Sequence, residues 1–218
     1  MYKPLGAIVV AAMAFVIVAH TMARGIVSEL ELSHERFYAI KAEISQTPDA
    51  VIVLGDSIVQ GAPMPKWICG YAVINAGVVG AAVEYFERNA AELLGLSRPR
   101  LIVLTVGIKD ASPKMAKQFR LRYRKTVASL SRVGSVAVAT ITPVRSGNGS
   151  AGYDAQLVPG FNDAIKKTPN VKAIIDLNKP LSSANWTTDG IHFGHEGYAL
   201  WTKAMVEGVS DALGCTKL

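Results

Sequence analysis

The 218-residue chain is 50% hydrophobic and 18% charged, a composition that supports a sizeable buried core and excludes a disordered or low-complexity polymer. Its formal net charge of +6 permits contact with anionic partners without requiring one. With only Cys69 and Cys215, the chain is not a disulfide-stapled miniprotein and has neither a four-cysteine zinc site nor a CxxC redox centre.

The first feature in chain order is apolar. Between Lys3 and Arg24, the 19 residues from Leu5 to Ala23 carry no formally charged side chain. As a helix rising about 1.5 Å per residue they reach about 28 Å, close to the roughly 30 Å hydrocarbon core of a bilayer. The unbroken apolar run from Leu5 to Ala19, followed by Thr21-Met22-Ala23, equally suits a signal peptide with a small-x-small cleavage site. A buried core helix fits less well, because the segment lacks a polar face. Anchor and signal peptide both predict an N-terminal hydrophobic helix and an exported protein. It would be membrane-anchored on the extracytoplasmic side, or periplasmic or secreted if the leader is cleaved. Nucleic acid is then not an expected partner, and oligomeric state is left open. In an oxidising compartment Cys69 and Cys215 could pair, and closing so long a loop is worth about 4–5 kcal/mol in the chain-entropy model.

From Val27 to Ser45 apolar and charged residues alternate at helical spacing, and Thr47-Pro48-Asp49 breaks the pattern. Short apolar runs follow at Ala50 to Leu54, Ala72 to Ile74, Leu101 to Val106, Ser135 to Ile141 and Val171 to Ile175. Helical stretches separate them at Ala81 to Leu94, Pro113 to Ser131 and Tyr153 to Lys167, with a last one from about Gly194 to Leu213. Strands without polar alternation are covered on both faces, so the pattern predicts an α/β fold: a parallel five-stranded sheet between helices. Arg145 to Gly152 (RSGNGSAG) reads as a surface loop. The expected organisation is a leader or anchor at 1–23, a helical connector at 24–48 and a single domain at 49–218.

In open parallel sheets, functional residues gather beyond the carboxyl ends of the strands. Gly55-Asp56-Ser57, Asn75 to Gly80, Gly107 to Asp110 and Asp189 to His192 all fall there. A serine hydroxyl needs a base to take its proton, and the base needs a third group to hold its tautomer. Ser57, His192 and Asp189 could supply the three. The spacing within Asp189-Gly190-Ile191-His192 lets the carboxylate reach one imidazole nitrogen while the other faces Ser57. For Ser57 alone, a helix N-cap is the plainer reading. His195 reads as a first-turn residue of the last helix, since no cluster of Cys or His completes a metal site around it. The GVVG segment lacks both GxGxxG and a P-loop lysine, so no nucleotide site is expected.

The blocks GDSIVQG (Gly55 to Gly61), NAGVVG (Asn75 to Gly80), GIKD (Gly107 to Asp110) and DGIH (Asp189 to His192) resemble the SGNH, or GDSL-type, esterase and lipase superfamily. By order and spacing the resemblance covers nearly the whole part expected outside the cytoplasm, Arg24 to Leu218. It implies a flavodoxin-like three-layer α/β/α sandwich with strand order 2-1-3-4-5, and ester hydrolysis through an acyl-serine without metal or cofactor. By position, Ser57 is the nucleophile, His192 the base and Asp189 its partner, while the N–H groups of Ser57 and Gly80 form two arms of an oxyanion hole. Gly77 shapes the same turn, and Asp56 and Asp110 support the site. Lys109 stands where the family carries an asparagine that donates to the oxyanion. Losing such a donor typically costs about 10²–10³ in rate, whereas an ammonium could also donate. Alternatively Lys109 pairs with Asp110 or an anionic substrate, leaving a weak hydrolase or a binding domain for a glycan or lipid.

The expected substrate is a small molecule or glycan ester, with a small acyl group such as acetate leaving a carbohydrate or another cell-envelope ester. A lysophospholipase, a thioesterase or an O-acyltransferase would use the same residues. From Ala111 to Tyr153 the charged residues are all basic, namely Lys114, Lys117, Arg120, Arg122, Arg124, Lys125, Arg132 and Arg145. They read as a solvated helix face or as a surface for anionic headgroups or acidic polysaccharide.

Overall fold

The computed structural model describes residues 34–215. The expected leader or anchor, with its hydrophobic helix, lies outside the described residues. Among the described residues, no helix is long and apolar enough to cross a membrane. Residues 34–46 form α1. The chain divides into two compact units, Met1–Tyr38 and Ala39–Leu218, and all the strands belong to the second.

Strands and helices alternate as β1 (Val51–Gly55), α2 (Ser57–Gly61), β2 (Trp67–Ile68), β3 (Tyr71–Gly77), α3 (Val83–Leu94), β4 (Leu101–Thr105), α4 (Phe119–Leu130), β5 (Val136–Ala139), α5 (Leu157–Lys166), β6 (Ala173–Ile175) and α6 (His195–Leu213). The sheet runs β2-β3-β1-β4-β5-β6. Its five parallel strands keep the expected 2-1-3-4-5 order, with Val51 opposite both Val73 and Leu101. The expectation of five strands is corrected by a sixth: β2 pairs antiparallel with β3, Trp67 opposite Ala72. Two residues are too few to display a period, so β2 leaves no mark in the sequence.

Burial explains the architecture. Val51 to Leu54, Leu101 to Leu104 and Val136 to Ala139 are all buried, including neighbours that point to opposite faces. Only helices on both sides of the sheet satisfy that, and a sheet growing in both directions from β1 with right-handed crossovers supplies them. Helix α3 turns Val83, Phe86, Ala90, Leu93 and Leu94 inward, the spacing of one helical face. In α6, Gly197, Trp201, Met205 and Val209 recur every fourth residue on the buried side. Each such large side chain, fully buried, contributes about 1.5–3 kcal/mol.

Two helices begin later than their sequence pattern suggests. Helix α4 starts at Phe119, after a 3₁₀ turn at Ala116–Gln118 that buries no side chain. Helix α5 starts at Leu157, because Asp154 donates its N–H to Ala111 O at 2.7 Å and its carboxylate accepts from Gln156 N at 2.9 Å. The basic run also divides. Arg122 turns onto Glu84 and Glu87 of α3, at 3.4 and 2.8 Å, while Arg120, Arg124 and Lys125 stay exposed. Cys69, beside β2, and Cys215, just past α6, form a disulfide with Cα atoms 6.1 Å apart.

Candidate active site

β1 ends at Gly55, and two residues later Ser57 opens α2. Asp56 is the N-cap, its Oδ1 accepting from Ile58 N at 3.0 Å. Burial pushes the Asp56 carboxyl up to about 6, against the opposing pull of that hydrogen bond and of His192 nearby. Gly77, at the end of β3, passes so close to α2 that a Cβ there would lie 2.2 Å from Gln60 N. Asn75 closes the contact, donating from Nδ2 to Val59 O at 2.6 Å and accepting from Gly77 N at 3.0 Å. The Ser57 turn is thus packed on one side and half-exposed at Ser57.

Asp189 to His192 form a turn between Thr187 and Phe193, which pair as an isolated antiparallel bridge. Thr188 N donates to His192 O at 2.8 Å, and Gly190 turns the chain at φ 98°. Asp189 Oδ1 accepts from the N–H groups of Ile191 and His192 at 2.9 and 2.8 Å, and Oδ2 lies 2.7 Å from His192 Nδ1. Burial alone would raise the Asp189 pKa, but the hydrogen bonds from the His192 ring and from the His192 and Ile191 backbone outweigh it and hold the carboxyl at about 2. An ionised carboxylate only accepts, so Nδ1 carries the proton of a neutral imidazole and Nε2 is the acceptor. Nε2 is 2.8 Å from Ser57 Oγ. The sequence-expected trio is therefore brought into one continuous contact. The His192 side chain is 43% exposed, so an ester and water can reach it.

The segment read from sequence as a surface loop braces this turn. Beyond β5, Arg145 N donates to Gly190 O at 2.8 Å and Gly149 N donates to Asp189 O at 2.9 Å. A Cβ on Gly147 would stand 2.2 Å from Asp189 O, and one on Gly149 would stand 2.4 Å from Asp189 Oδ2. Ser150 Oγ accepts from Gly147 N at 3.0 Å and donates to Gly147 O at 2.8 Å, and the Arg145 guanidinium donates to Ser182 O at 2.7 Å. Gly147 and Gly149 were missed as site residues. Their signal was present, since glycines just past a strand end can mark close backbone approach as well as a loose loop.

Gly80 sits at φ 71° with no atom within 4 Å of a would-be Cβ, so backbone conformation rather than space requires glycine. Val78 N donates to Gly55 O at 3.0 Å and keeps this loop beside the Ser57 turn. The N–H groups of Ser57 and Gly80 have no internal hydrogen-bond partner among the described residues. Asp110 is buried, and its Oδ2 accepts from Val83 N at 3.0 Å, capping α3 where Ala82 offers no side-chain oxygen. Burial pushes the Asp110 carboxyl up to about 6. Lys109 is exposed and makes no ion pair with Asp110; its Nζ lies 5.8 Å from the centroid of the Tyr153 ring. His195 is the first residue of α6 and stands outside the trio. Among the described residues, no group of three or more His, Cys, Asp or Glu side chains could hold a metal ion.

Fold and site together define an ester-hydrolysing enzyme with the SGNH fold. The model of the GDSL-like lipase/acylhydrolase family matches residues 53–200, well over half of the chain, and the protein belongs to that family. A comparison with curated proteins finds no match. Among solved structures, the chain is similar to a Streptococcus pneumonia protein whose name refers to platelet activating factor, with a TM-score of 0.71 and 19% identity over 88% of this chain and 99% of the other. A lipase/acylhydrolase from Enterococcus faecalis matches with a TM-score of 0.63 and 22% identity over 78% and 100%. The acetylxylan esterase Axe2 from Geobacillus stearothermophilus matches with a TM-score of 0.61 and 14% identity over 78% and 96%. At these identities the likeness is one of fold.

Proposed function

We propose that this enzyme removes a small acyl group, such as acetyl, from a carbohydrate or cell-envelope ester through an acyl-serine intermediate, outside the cytoplasm. The observation that carries the catalytic part is the unbroken contact from Ser57 Oγ through the His192 ring to Asp189, at 2.8 and 2.7 Å. Ser57 Oγ attacks the ester carbon as its proton passes to His192 Nε2, and the carbonyl π pair moves onto oxygen. The N–H groups of Ser57 and Gly80 have no partner among the described residues and can receive that oxyanion, and Lys109 occupies the sequence position at which the family resemblance expects a third donor. Collapse breaks the bond to the alcohol, which leaves with the proton from Nε2. Water then repeats the sequence on the acyl-serine, releasing the carboxylic acid and restoring Ser57. Asp189, ionised throughout, stabilises the imidazolium formed in each half.

The small-acyl choice is supported by the acetylxylan esterase among the similar folds, and the extracytoplasmic setting by the apolar segment at residues 5–23. The test is turnover of p-nitrophenyl acetate and longer homologues, with fluorophosphonate labelling of Ser57. Serine-dependent labelling, with acetate favoured over longer chains, is the expected result. Turnover that survives Ser57→Ala would overturn the mechanism, and a preference for long chains would overturn the small-acyl assignment.

A further inference from the structure

Resting on that reading of the site, we propose that Lys109 and Tyr153 form a subsite for a negative charge on the substrate, so that the enzyme prefers esters bearing a carboxylate over uncharged esters of the same shape. Lys109 lies in the turn beyond β4, closed by Asp110 N donating to Gly107 O at 3.1 Å and Ala111 N to Ile108 O at 3.0 Å. Hydrogen bonds on two sides join this turn to segments that flank the site. On one side Asp110 grips Val83 N, three residues beyond Gly80. On the other, Asp154 N donates to Ala111 O at 2.7 Å and Tyr153 N to Ser150 O at 3.0 Å, which joins the turn to the segment that braces Asp189. The turn that carries Lys109 is thus joined both to the segment that follows Gly80 and to the segment that braces Asp189.

Among the described residues no carboxylate pairs with Lys109. Its sequence neighbour Asp110 is buried on Val83 N, and the Asp154 carboxylate accepts from Gln156 N. Among the described residues Lys109 makes no ion pair, and its charge rests over the Tyr153 ring at 5.8 Å. A flexible lysine loses much side-chain entropy when it is ordered, and a cation held near an aromatic face is already partly ordered while its N–H groups remain able to donate. A purely oxyanion-stabilising ammonium would act on every ester alike, because each develops the same charge in the transition state. A subsite for substrate charge acts in the ground state too and discriminates between esters.

The experiment uses the full chain and two matched pairs of esters. One pair, 4-acetoxybenzoate and 4-acetoxybenzamide, places the charge on the alcohol side; the other, p-nitrophenyl hemisuccinate and p-nitrophenyl pentanoate, places it on the acyl side. In at least one pair, Lys109→Met should lower kcat/KM for the charged member about two- to fivefold relative to the neutral member, chiefly through KM, as expected for an exposed ion pair. Lys109→Arg should keep the preference, and raising ionic strength from about 0.01 to about 1 M should erase it. An unchanged charged-to-neutral ratio in both pairs, or an equal loss on all four esters, would overturn the proposal; equal loss would assign Lys109 to the oxyanion alone. Turnover that persists in Ser57→Ala would instead show that the underlying reading of the site had failed.

Discussion

Ser57 is held by regular structure. It lies between a buried strand and a short helix, with Asp56 capping that helix and Gly77 admitting β3 against it. His192 and Asp189 are held otherwise, in a turn closed by one β-bridge and braced by backbone contacts from residues 145–150. The Ser57 half therefore draws its position from hydrogen-bonded secondary structure and core packing, and the Asp189–His192 half from loop-to-loop fit. Two halves that meet at 2.8 Å are equally exacting in geometry, yet the second rests on turns rather than on a strand and a helix. A small shift there should cost activity before it costs stability.

The strongest way to break that comparison is to remove either half. Ser57→Ala and His192→Ala should each lower kcat by about 10⁴–10⁶, and the double variant should be no worse than the singles, because groups acting as a unit are not additive. Steady-state and burst kinetics on p-nitrophenyl acetate check this; an additive double variant would mean that the halves work independently. Reduction of the Cys69–Cys215 disulfide, which ties the β2 edge to the end of α6, should cost about 2–5 kcal/mol, read as a lower denaturation midpoint in the presence of reductant.

Glycine substitutions compare the halves directly. Gly77→Ala drives a Cβ into the Gln60 backbone and should destabilise the fold by about 1–3 kcal/mol, lowering the thermal midpoint by several degrees. Gly149→Ala presses instead on the Asp189 carboxylate at the surface. It should lower kcat about 10–100-fold with a smaller change in midpoint, since misplacement by about 1 Å can cost two orders of magnitude. If Gly149→Ala cost stability and left kcat intact, the segment at 145–150 would be structural only.

The last effect expected is on the pH dependence of stability. Asp56, raised by burial to about 6, binds a proton in the folded chain that the unfolded chain has already released between about pH 4 and 6. Its contribution is therefore full at low pH and is lost as the pH rises through about 6. Asp189, held at about 2, runs the other way: its contribution is present above the ordinary carboxylate range and is lost as the pH falls toward 2. Asp56→Asn keeps an N-capping oxygen and removes the buried charge. It should raise stability at pH 8 by about 1–3 kcal/mol and flatten the fall between pH 4 and 7 in denaturant titrations. An unchanged slope would mean that Asp56 does not titrate there.

Much of the molecule was legible in the sequence. The apolar runs at Val51 to Leu54 and Leu101 to Leu104 have no alternation because both of their faces are covered, and that signal needs no tertiary information. The end of α3 at Gly95 and the start of α6 at His195 are set by local chemistry, and both were readable within a residue. The turns at the ends of β1, β3 and β4 were readable because glycine and the polar residues beside it interrupt apolar runs, and the one at Asp189 to His192 because its spacing lets the carboxylate reach the imidazole. Strand β2 and the braced segment at 145–150 were not. The first is too short for a period, and the second has the composition of a loose loop although its glycines serve close contact.

The sequence by itself determined the alternation of strands and helices and the residue types presented at the carboxyl edge of the sheet, because propensity, periodicity and turn chemistry act between near neighbours in the chain. Only the tertiary structure decided which groups meet: Ser57 with His192, Gly149 with Asp189, Asp110 with Val83, Lys109 with Tyr153 and Cys69 with Cys215. These contacts join segments far apart in sequence, and their geometry depends on how the sheet stacks those segments. Local patterns carry no record of that stacking.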